Sequence, residues 1–192
     1  GPYTRSLVPE DGKAGSIIVL DSTMATFWEL NIAIPYNKYA YSVVETSLSN
    51  SGNFYILGKT IKKPEQLTVY PAGQHKYILT SISSRKSISE YNISLFDKEI
   101  IDCSIEPLEG NKVKCIGFYS DNGSLSIKGT FYLIIDITTK TVLMKVINEF
   151  ENDFFELFSN NNERNKNPKL EDFKIKEILH DENGGYIIFG EQ

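Results

Sequence analysis

The stretch at residues 52–60 combines two glycines with a lysine and a threonine, which are the residue types of a phosphate-binding loop. A P-loop places four residues between its glycines so that flexible backbone amides can wrap a phosphate. Here five residues separate Gly52 from Gly58, and four of them, at 54–57, are typical of a strand. We therefore predict that Gly58 ends a strand and that the Lys59 side chain is solvated.

Three aspartates could supply the carboxylates that a glycoside hydrolase or another hydrolytic enzyme uses as acid, base or nucleophile. Asp102, Asp121 and Asp136 are spread along the sequence, so only the fold can bring them together. Two of these carboxylates in one pocket would indicate an enzyme. Carboxylates on separate loops would instead favour a non-catalytic protein.

The two histidines, His75 and His180, lie far apart in the sequence, in predicted strands or at strand ends. The G-x-S-x-G pattern of a nucleophile elbow is absent, so no serine hydrolase triad is indicated. The turn-like segments at 121–123 and 181–184 lack the glutamate that completes an EF-hand. These motifs predict no catalytic residue, no cofactor and no metal site.

Cys103 and Cys115 lie symmetrically about Glu109 in a predicted hairpin. If the hairpin is centred on Glu109 and Gly110, the two side chains face each other at a separation that suits a disulfide or two buried thiols. Export of the protein would favour the disulfide. Two cysteines alone cannot make a zinc site.

The elements that carry these residues follow a repeat. A turn signal followed by a short apolar strand that closes on glycine occurs at 49–58, 109–117 and 182–190. Strand-like segments between the copies bring each repeat to about four strands in meander order. This pattern predicts an all-β fold, a propeller-like array of four-stranded antiparallel meanders with about three blades' worth of strands. A β-sandwich is the alternative, because it gives the same alternation without a period.

One repeat contains an insertion. Phe150, Phe154, Phe155 and Phe158 occur at helical spacing among acidic residues, and an asparagine-rich segment follows them. We predict a short helix and a loop at 150–168. Such an amphipathic element can pack on its own sheet or bind a partner, so these four phenylalanines are the candidate partner-binding residues.

Length and composition limit the other possibilities. A chain of 192 residues is long enough for one domain that buries about 70 % of its unfolded surface. We expect a single repeat domain over 1–192, part of a longer ring or completed by another chain. The net charge of -5 and the scattered basic residues argue against nucleic-acid binding. The sequence contains no apolar run of the ~20 residues that a membrane helix needs.

Four segments of the chain, 21–36, 116–121, 127–132 and 184–192, resemble uncharacterised exported Bacteroidetes proteins with β-propeller-like repeats. The chain is similar to a segment of a longer member of this group. The resemblance implies export to the periplasm or the cell surface, and it implies no catalytic role.

The expected function is therefore that of a non-catalytic binding or scaffolding module of an exported or cell-surface bacterial protein. Its expected partner is another protein or the remaining blades of the same protein. The alternative is a fragment of an extracellular carbohydrate-active or other hydrolytic enzyme, in which Asp102, Asp121 and Asp136 would converge.

Overall fold

The computed structural model describes residues 13–20, 22–33, 39–62, 75–83, 85, 87–156, 174–181 and 185–191. These residues form twelve β-strands and one short helix, α1 (Asn152–Glu156), which lies between the tenth and eleventh strands. The strands are β1 (Lys13–Leu20), β2 (Thr26–Ala33), β3 (Tyr39–Leu48), β4 (Phe54–Lys62), β5 (His75–Ile82), β6 (Ile88–Ile93), β7 (Lys98–Pro107), β8 (Lys112–Asp121), β9 (Gly129–Asp136), β10 (Thr141–Glu149), β11 (Lys174–His180) and β12 (Tyr186–Glu191).

The strands pair into four antiparallel sheets. Two sheets are four-stranded meanders, which we call unit 1 (β3–β6) and unit 2 (β7–β10). The other two are the two-stranded hairpins β1–β2 and β11–β12. The described chain thus holds two whole units between two half units, which confirms the predicted all-β array of four-stranded meanders.

The first strands of successive units lie side by side, since β3 contacts β7 and β7 contacts β11. A β-sandwich would distribute the strands over two sheets, whereas these strands form four sheets in sequence. Successive four-stranded sheets that meet along their first strands are the arrangement of propeller blades. The order of the strands is therefore that of a propeller-like array, while the packing of units 1 and 2 over one core is also compatible with a β-sandwich.

The main core lies between unit 1 and unit 2. Unit 1 contributes Tyr55 and Leu57, and unit 2 contributes Leu133 and Ile135, all of which are fully buried in one cluster. Each pair is spaced by two residues because alternate side chains of a strand point to the same face. Burial of each such side chain contributes roughly 1.5–3 kcal/mol, so this interface holds the two units together.

A one-residue bulge interrupts the first strand of each unit and the β11–β12 hairpin. A bulge bends its strand and changes the direction of the neighbouring side chains. The residue that follows the bulge is acidic in all three cases, namely Glu45 in β3, Asp102 in β7 and Glu177 in β11. Three successive first strands therefore carry a carboxylate at the same position relative to the bulge.

The repeat glycines lie inside strands, so the prediction that they end them is wrong. Gly58, Gly117 and Gly190 are interior residues of β4, β8 and β12. A Cβ atom at Gly58 would collide with the Tyr41 ring, and one at Gly117 would collide with the backbone oxygen of Asp102. A close neighbour, rather than a turn, explains the glycine at these two positions.

The prediction of a solvated Lys59 is also wrong. This residue lies within β4, which continues to Lys62. The Lys59 side chain is half-buried, and its Nζ lies 5.2 Å from the centroid of the Tyr77 ring. Burial lowers the pKa of Lys59, although the nearby Asp102 carboxylate acts in the opposite direction. Lys59 thus packs on Tyr77 of its own unit, and the Asp102 carboxylate of unit 2 is near enough to act on its charge.

The insertion is described only in part. The helix α1 covers Asn152–Glu156 and carries Phe154 and Phe155. The remainder of the predicted insertion from 157 onward, including Phe158 and the asparagine-rich segment, lies outside the described residues.

Candidate functional site

The carboxylates of Asp121 and Asp136 lie far apart. Asp121 ends β8, whereas Asp136 pairs with Lys112 at the beginning of the same strand. Because β8 has ten residues, the two carboxylates are roughly 30 Å apart along it. Glycosidases hold their two carboxylates about 5–10 Å apart, so these two cannot act as a catalytic pair.

Both aspartates have local partners instead. Asp121 accepts a hydrogen bond from Lys98 Nζ at 2.7 Å, and this bond lowers the pKa of Asp121. Asp136 accepts hydrogen bonds from the backbone N–H groups of Thr138 and Thr139 at 2.8 and 3.0 Å. These bonds lower the pKa of Asp136 and stabilise the turn between β9 and β10.

Asp102 joins three strands. Its Oδ2 accepts a hydrogen bond from the backbone N–H of Ile175 in β11 at 2.8 Å. Its Oδ1 lies 3.4 Å from the Tyr77 hydroxyl, which also donates to the backbone oxygen of Ile101 at 2.9 Å. Burial, with the nearby Cys103 and Asp102, raises the pKa of Tyr77, so the hydroxyl stays protonated as a donor. The Asp102 carboxylate thus connects unit 1, unit 2 and the β11–β12 hairpin.

The histidines form no catalytic pair in the described structure. His75 begins β5, as predicted, and its Nδ1 is buried with no hydrogen-bond partner among the described residues. Burial, followed by repulsion from Lys59, lowers the pKa of His75 to about 4, so the ring is neutral at pH 7. His180 ends β11, and its side chain lies outside the described part of the chain.

The prediction that Cys103 and Cys115 face each other is wrong. The register pairs Cys103 with Gly117 and Ile105 with Cys115, so the two cysteines are offset by two residues. The hairpin is centred on Gly110, which has the left-handed φ of 73° that its turn requires. Both cysteines are free and buried, and burial raises the pKa of each thiol.

The described ranges contain neither a metal-binding cluster nor a membrane-spanning helix. In those ranges, no group of three or more His, Cys, Asp and Glu side chains converges to hold a metal ion. None of the helices in the same ranges has the length and apolar character needed to cross a bilayer.

One candidate site is an apolar cavity of about 550 Å³ on the side of unit 2 that faces away from unit 1. We call it the unit 2 groove. Its floor is formed by side chains from β8, β9 and β10, and its walls by the β12 strand and the segment around α1. The lining includes Ile116, Phe118, Tyr132, Val146, Phe150 and Ile188.

Two of the four predicted partner-binding phenylalanines, Phe150 and Phe154, line this groove. The centroids of their rings are 4.0 Å apart, and Phe155 packs against both at 6.2 and 5.9 Å. All three pack against the buried Phe118 of unit 2 and are half-buried. The cluster is thus docked on its own sheet and forms one wall of the groove.

The β12 wall is fixed to unit 2 by a polar and aromatic contact. Lys114, whose side chain is buried, donates to Glu106 at 2.7 Å and lies 4.8 Å from the centroid of the Tyr186 ring. The rings of Tyr132 and Tyr186 are 5.9 Å apart. Burial opposes the charge of Lys114, but the bonds to Glu106 and Tyr186 outweigh it and raise the pKa of Lys114.

The opposite end of the groove is open. β10 is the outer strand of unit 2, and all of its residues are exposed, including the apolar Val142, Met144 and Val146. Sequence reasoning missed this groove and the role of Glu45. The alternation of apolar residues in β10 predicts a covered face. The alternation alone cannot reveal that no described strand covers this face.

The fold defines a class, an all-β protein built from successive antiparallel sheets. Neither the protein-family models, nor the curated proteins, nor the solved structures contain a match to this chain. The functional argument consequently depends on the geometry of this molecule.

Proposed function

We propose that the chain is a non-catalytic binding or scaffolding module of an exported or cell-surface bacterial protein. In this proposal, the unit 2 groove and the adjacent edge of β12 bind strands of a protein partner. The observation that carries the proposal is the groove itself, an apolar cavity of about 550 Å³ bordered by β12, whose outer edge pairs with no other strand among the described residues. Strand addition supplies backbone hydrogen bonds at such an edge, and the apolar cavity accepts alternate side chains.

Two further observations support a binding role over hydrolysis. The Asp121 and Asp136 carboxylates stabilise opposite ends of unit 2, and Asp102 stabilises the contact with β11.

Export is supported by the sequence resemblance, and it can be tested by fractionating cells that express the tagged gene. A tagged protein confined to the cytoplasm would contradict this part of the proposal.

Site-specific photo-crosslinking tests the binding role. A benzoylphenylalanine at Phe189, which is 58 % exposed on β12, is expected to give a discrete protein adduct in the native envelope. The adduct is expected to disappear when Val146→Asp places a charge in the groove. The matched control carries the photoreactive residue at the exposed Thr139, in the turn before β10, and should give no adduct. Equal labelling from both positions, or none from Phe189, would overturn the proposal.

A further inference from the structure

Repeat positions that are buried in units 1 and 2 are exposed in the β11–β12 hairpin. The residue before the repeat glycine is Leu57 in β4, Ile116 in β8 and Phe189 in β12, with exposed fractions of 0 %, 5 % and 58 %. Leu57 is covered by unit 2. Ile188 packs on unit 2, so strand alternation places Phe189 on the opposite face. In unit 1 and unit 2, the equivalent face of the second strand is covered by the strands that follow in the chain.

The β1–β2 hairpin has the properties of the third and fourth strands of a unit. β1 has eight residues, as do the third strands β5 and β9. The connection within the hairpin, 21–25, has five residues. The connections after β5 and β9, at 83–87 and 137–140, have five and four residues. The segment from β2 to β3, 34–38, has five residues, which is close in length to the four-residue segment 94–97 that links the fourth strand of unit 1 to the first strand of unit 2.

The two half units are therefore complementary, because β11–β12 supplies first and second strands and β1–β2 supplies third and fourth strands. Within the described chain they do not pair, since β1 bonds only to β2 and β12 only to β11. The described residues of one chain give about three units, fewer than the four to eight with which propellers close. Two chains give about six units, which is within that range, whereas three chains give about nine, which exceeds it.

The register of unit 1 predicts which side chains would enter the groove. Gly58 of β4 lies opposite Ile78, four residues before the end of β5. The same register places Gly190 opposite Ser16 and Ile188 opposite Ile18. The register of unit 2 differs by one residue, since Gly117 lies opposite Phe131, five residues before the end of β9, and it would place Ile188 opposite Ile17. We use the register of unit 1 because it turns the exposed Ile18 and Leu20 towards the groove. Ile18 and Leu20 would then point into the unit 2 groove, and both are exposed in the isolated chain, at 55 % and 42 %.

The acidic residues after the bulges provide a second, independent observation. The Glu45 carboxylate accepts the backbone N–H of Ile105 in the next first strand at 2.9 Å, and Asp102 accepts that of Ile175 at 2.8 Å. Glu177 follows the third bulge and pairs with Phe189, so it lies on the same exposed face of the hairpin. Its side chain makes no hydrogen bond or ion pair with any described residue.

We propose that the strands bound by the unit 2 groove are the β1–β2 hairpin of a second copy of this chain. The hairpin adds to β12, completes a composite four-stranded unit and fills the groove with Ile18 and Leu20. The composite unit leads directly into the second copy's β3, so Glu177 accepts a backbone N–H from that strand. The same exchange in the other direction closes a twofold ring. This inference depends on the proposed binding role of the groove and identifies its occupant.

Light scattering on the purified protein tests the identity of the occupant without any envelope component. We expect twice the chain mass of 21.8 kDa. A monomer throughout the micromolar range, or a higher oligomer, would overturn the inference. The envelope photo-crosslink distinguishes the two proposals, because an adduct with a different protein and a monomer in solution would retain the binding role and reject the second copy.

Cysteine crosslinking tests the register. The double variant Ile18→Cys, Ile188→Cys should form a covalent dimer under mild oxidation, because directly opposed residues have the separation of a disulfide. The matched control Ile17→Cys, Ile188→Cys has its thiols on opposite faces and should remain uncrosslinked. Dimers from both variants, from neither, or from the Ile17 variant alone would reject this strand pairing.

The Glu177→Gln variant tests the acidic contact. Glutamine keeps an acceptor oxygen but loses the charge that strengthens the hydrogen bond, which should weaken self-association roughly tenfold. Asp121→Asn neutralises an exposed carboxylate that is paired with Lys98 at the end of β8, outside the proposed binding surface, and should leave self-association unchanged. Equal effects of the two variants would show that Glu177 makes no specific contact with the second copy.

Discussion

The carboxylate of Asp102 in β7 accepts a hydrogen bond of 2.8 Å from the backbone N–H of Ile175 in β11. This bond attaches the β11–β12 hairpin to β7 of unit 2. Asp102 is the residue that follows the bulge in that strand. Glu45 makes the corresponding kind of contact between unit 1 and unit 2, where Ser104 Oγ and the N–H of Ile105 both donate to Oε2. Successive units are therefore joined by carboxylates that bind backbone amides of the next first strand.

Replacement of Asp102 should destabilise the protein. Asp102→Ala leaves the N–H of Ile175 without its acceptor, and an unsatisfied group of this kind costs about 1–3 kcal/mol. The free energy of unfolding from urea titration measures the loss. Asp121→Ala, at an exposed ion pair with Lys98, is the control and should change stability much less. Equal losses would contradict the assigned role of Asp102.

Enlargement of Gly117 should destabilise unit 2. The Cβ of Gly117→Ala would meet the backbone oxygen of Asp102, the Cys103 Cβ and the Phe131 ring. Overpacking against groups that cannot move aside costs roughly 1–3 kcal/mol. Thermal unfolding measures the effect, and Ser42→Ala on the exposed β3 serves as a control for the procedure. Wild-type stability of Gly117→Ala would show that the backbone at this position has room for a side chain.

His75 should make stability depend on pH in the mildly acidic range. Its pKa is about 4 in the folded protein, below the ordinary value of 6.5, because the ring is buried near Lys59. Below pH 6.5 the unfolded chain therefore binds a proton that the folded chain does not, so the unfolding free energy decreases as the pH falls from 6.5 to 4.

The comparison of melting temperatures at pH 7 and pH 5 isolates this effect. His75→Gln removes the titrating group, so its melting temperature should fall less between the two pH values than that of the wild type. Carboxylates contribute equally to both proteins in this interval and cancel in the comparison. Parallel decreases would mean that His75 titrates at the same pH in the folded and unfolded states.

The two cysteines should behave as buried thiols. Cys103 and Cys115 are free, and burial raises the pKa of both, which keeps them in the unreactive thiol form. A thiol reagent should therefore label neither cysteine in the native protein and both in denaturant without any reductant. Labelling in denaturant that requires a reductant would indicate a disulfide.

The sequence predicted the architecture because the repeat is local. Turn signals and alternating apolar residues identified the hairpins β3–β4, β7–β8 and β11–β12, and the structure contains all three. The position of a bulge cannot be read from alternation, so the carboxylates that follow the bulges were not predicted. The error at Cys103 and Cys115 has a similar origin, because a one-residue change in the centre of a turn shifts every pair by two residues.

The groove was not predicted because it depends on which strands are neighbours in the tertiary structure. Phe150 and Phe154 were identified from their helical spacing, and they line the groove. Val146 and Tyr132 belong to strands whose patterns are ordinary for a covered sheet, so nothing in the sequence indicates an open cavity beside them. Tertiary arrangement, rather than local propensity, creates this site.

Hydrogen exchange on β12 tests most directly whether the β11–β12 hairpin is completed by added strands. Alternate amides of Tyr186–Glu191 bond to β11, and the others face the free edge of the strand. We predict that the edge-facing amides of the wild-type protein exchange slowly, as those of the interior strand β8 do, and that Val146→Asp makes them exchange rapidly. Rapid exchange of these amides in the wild-type protein would contradict the completion of this unit.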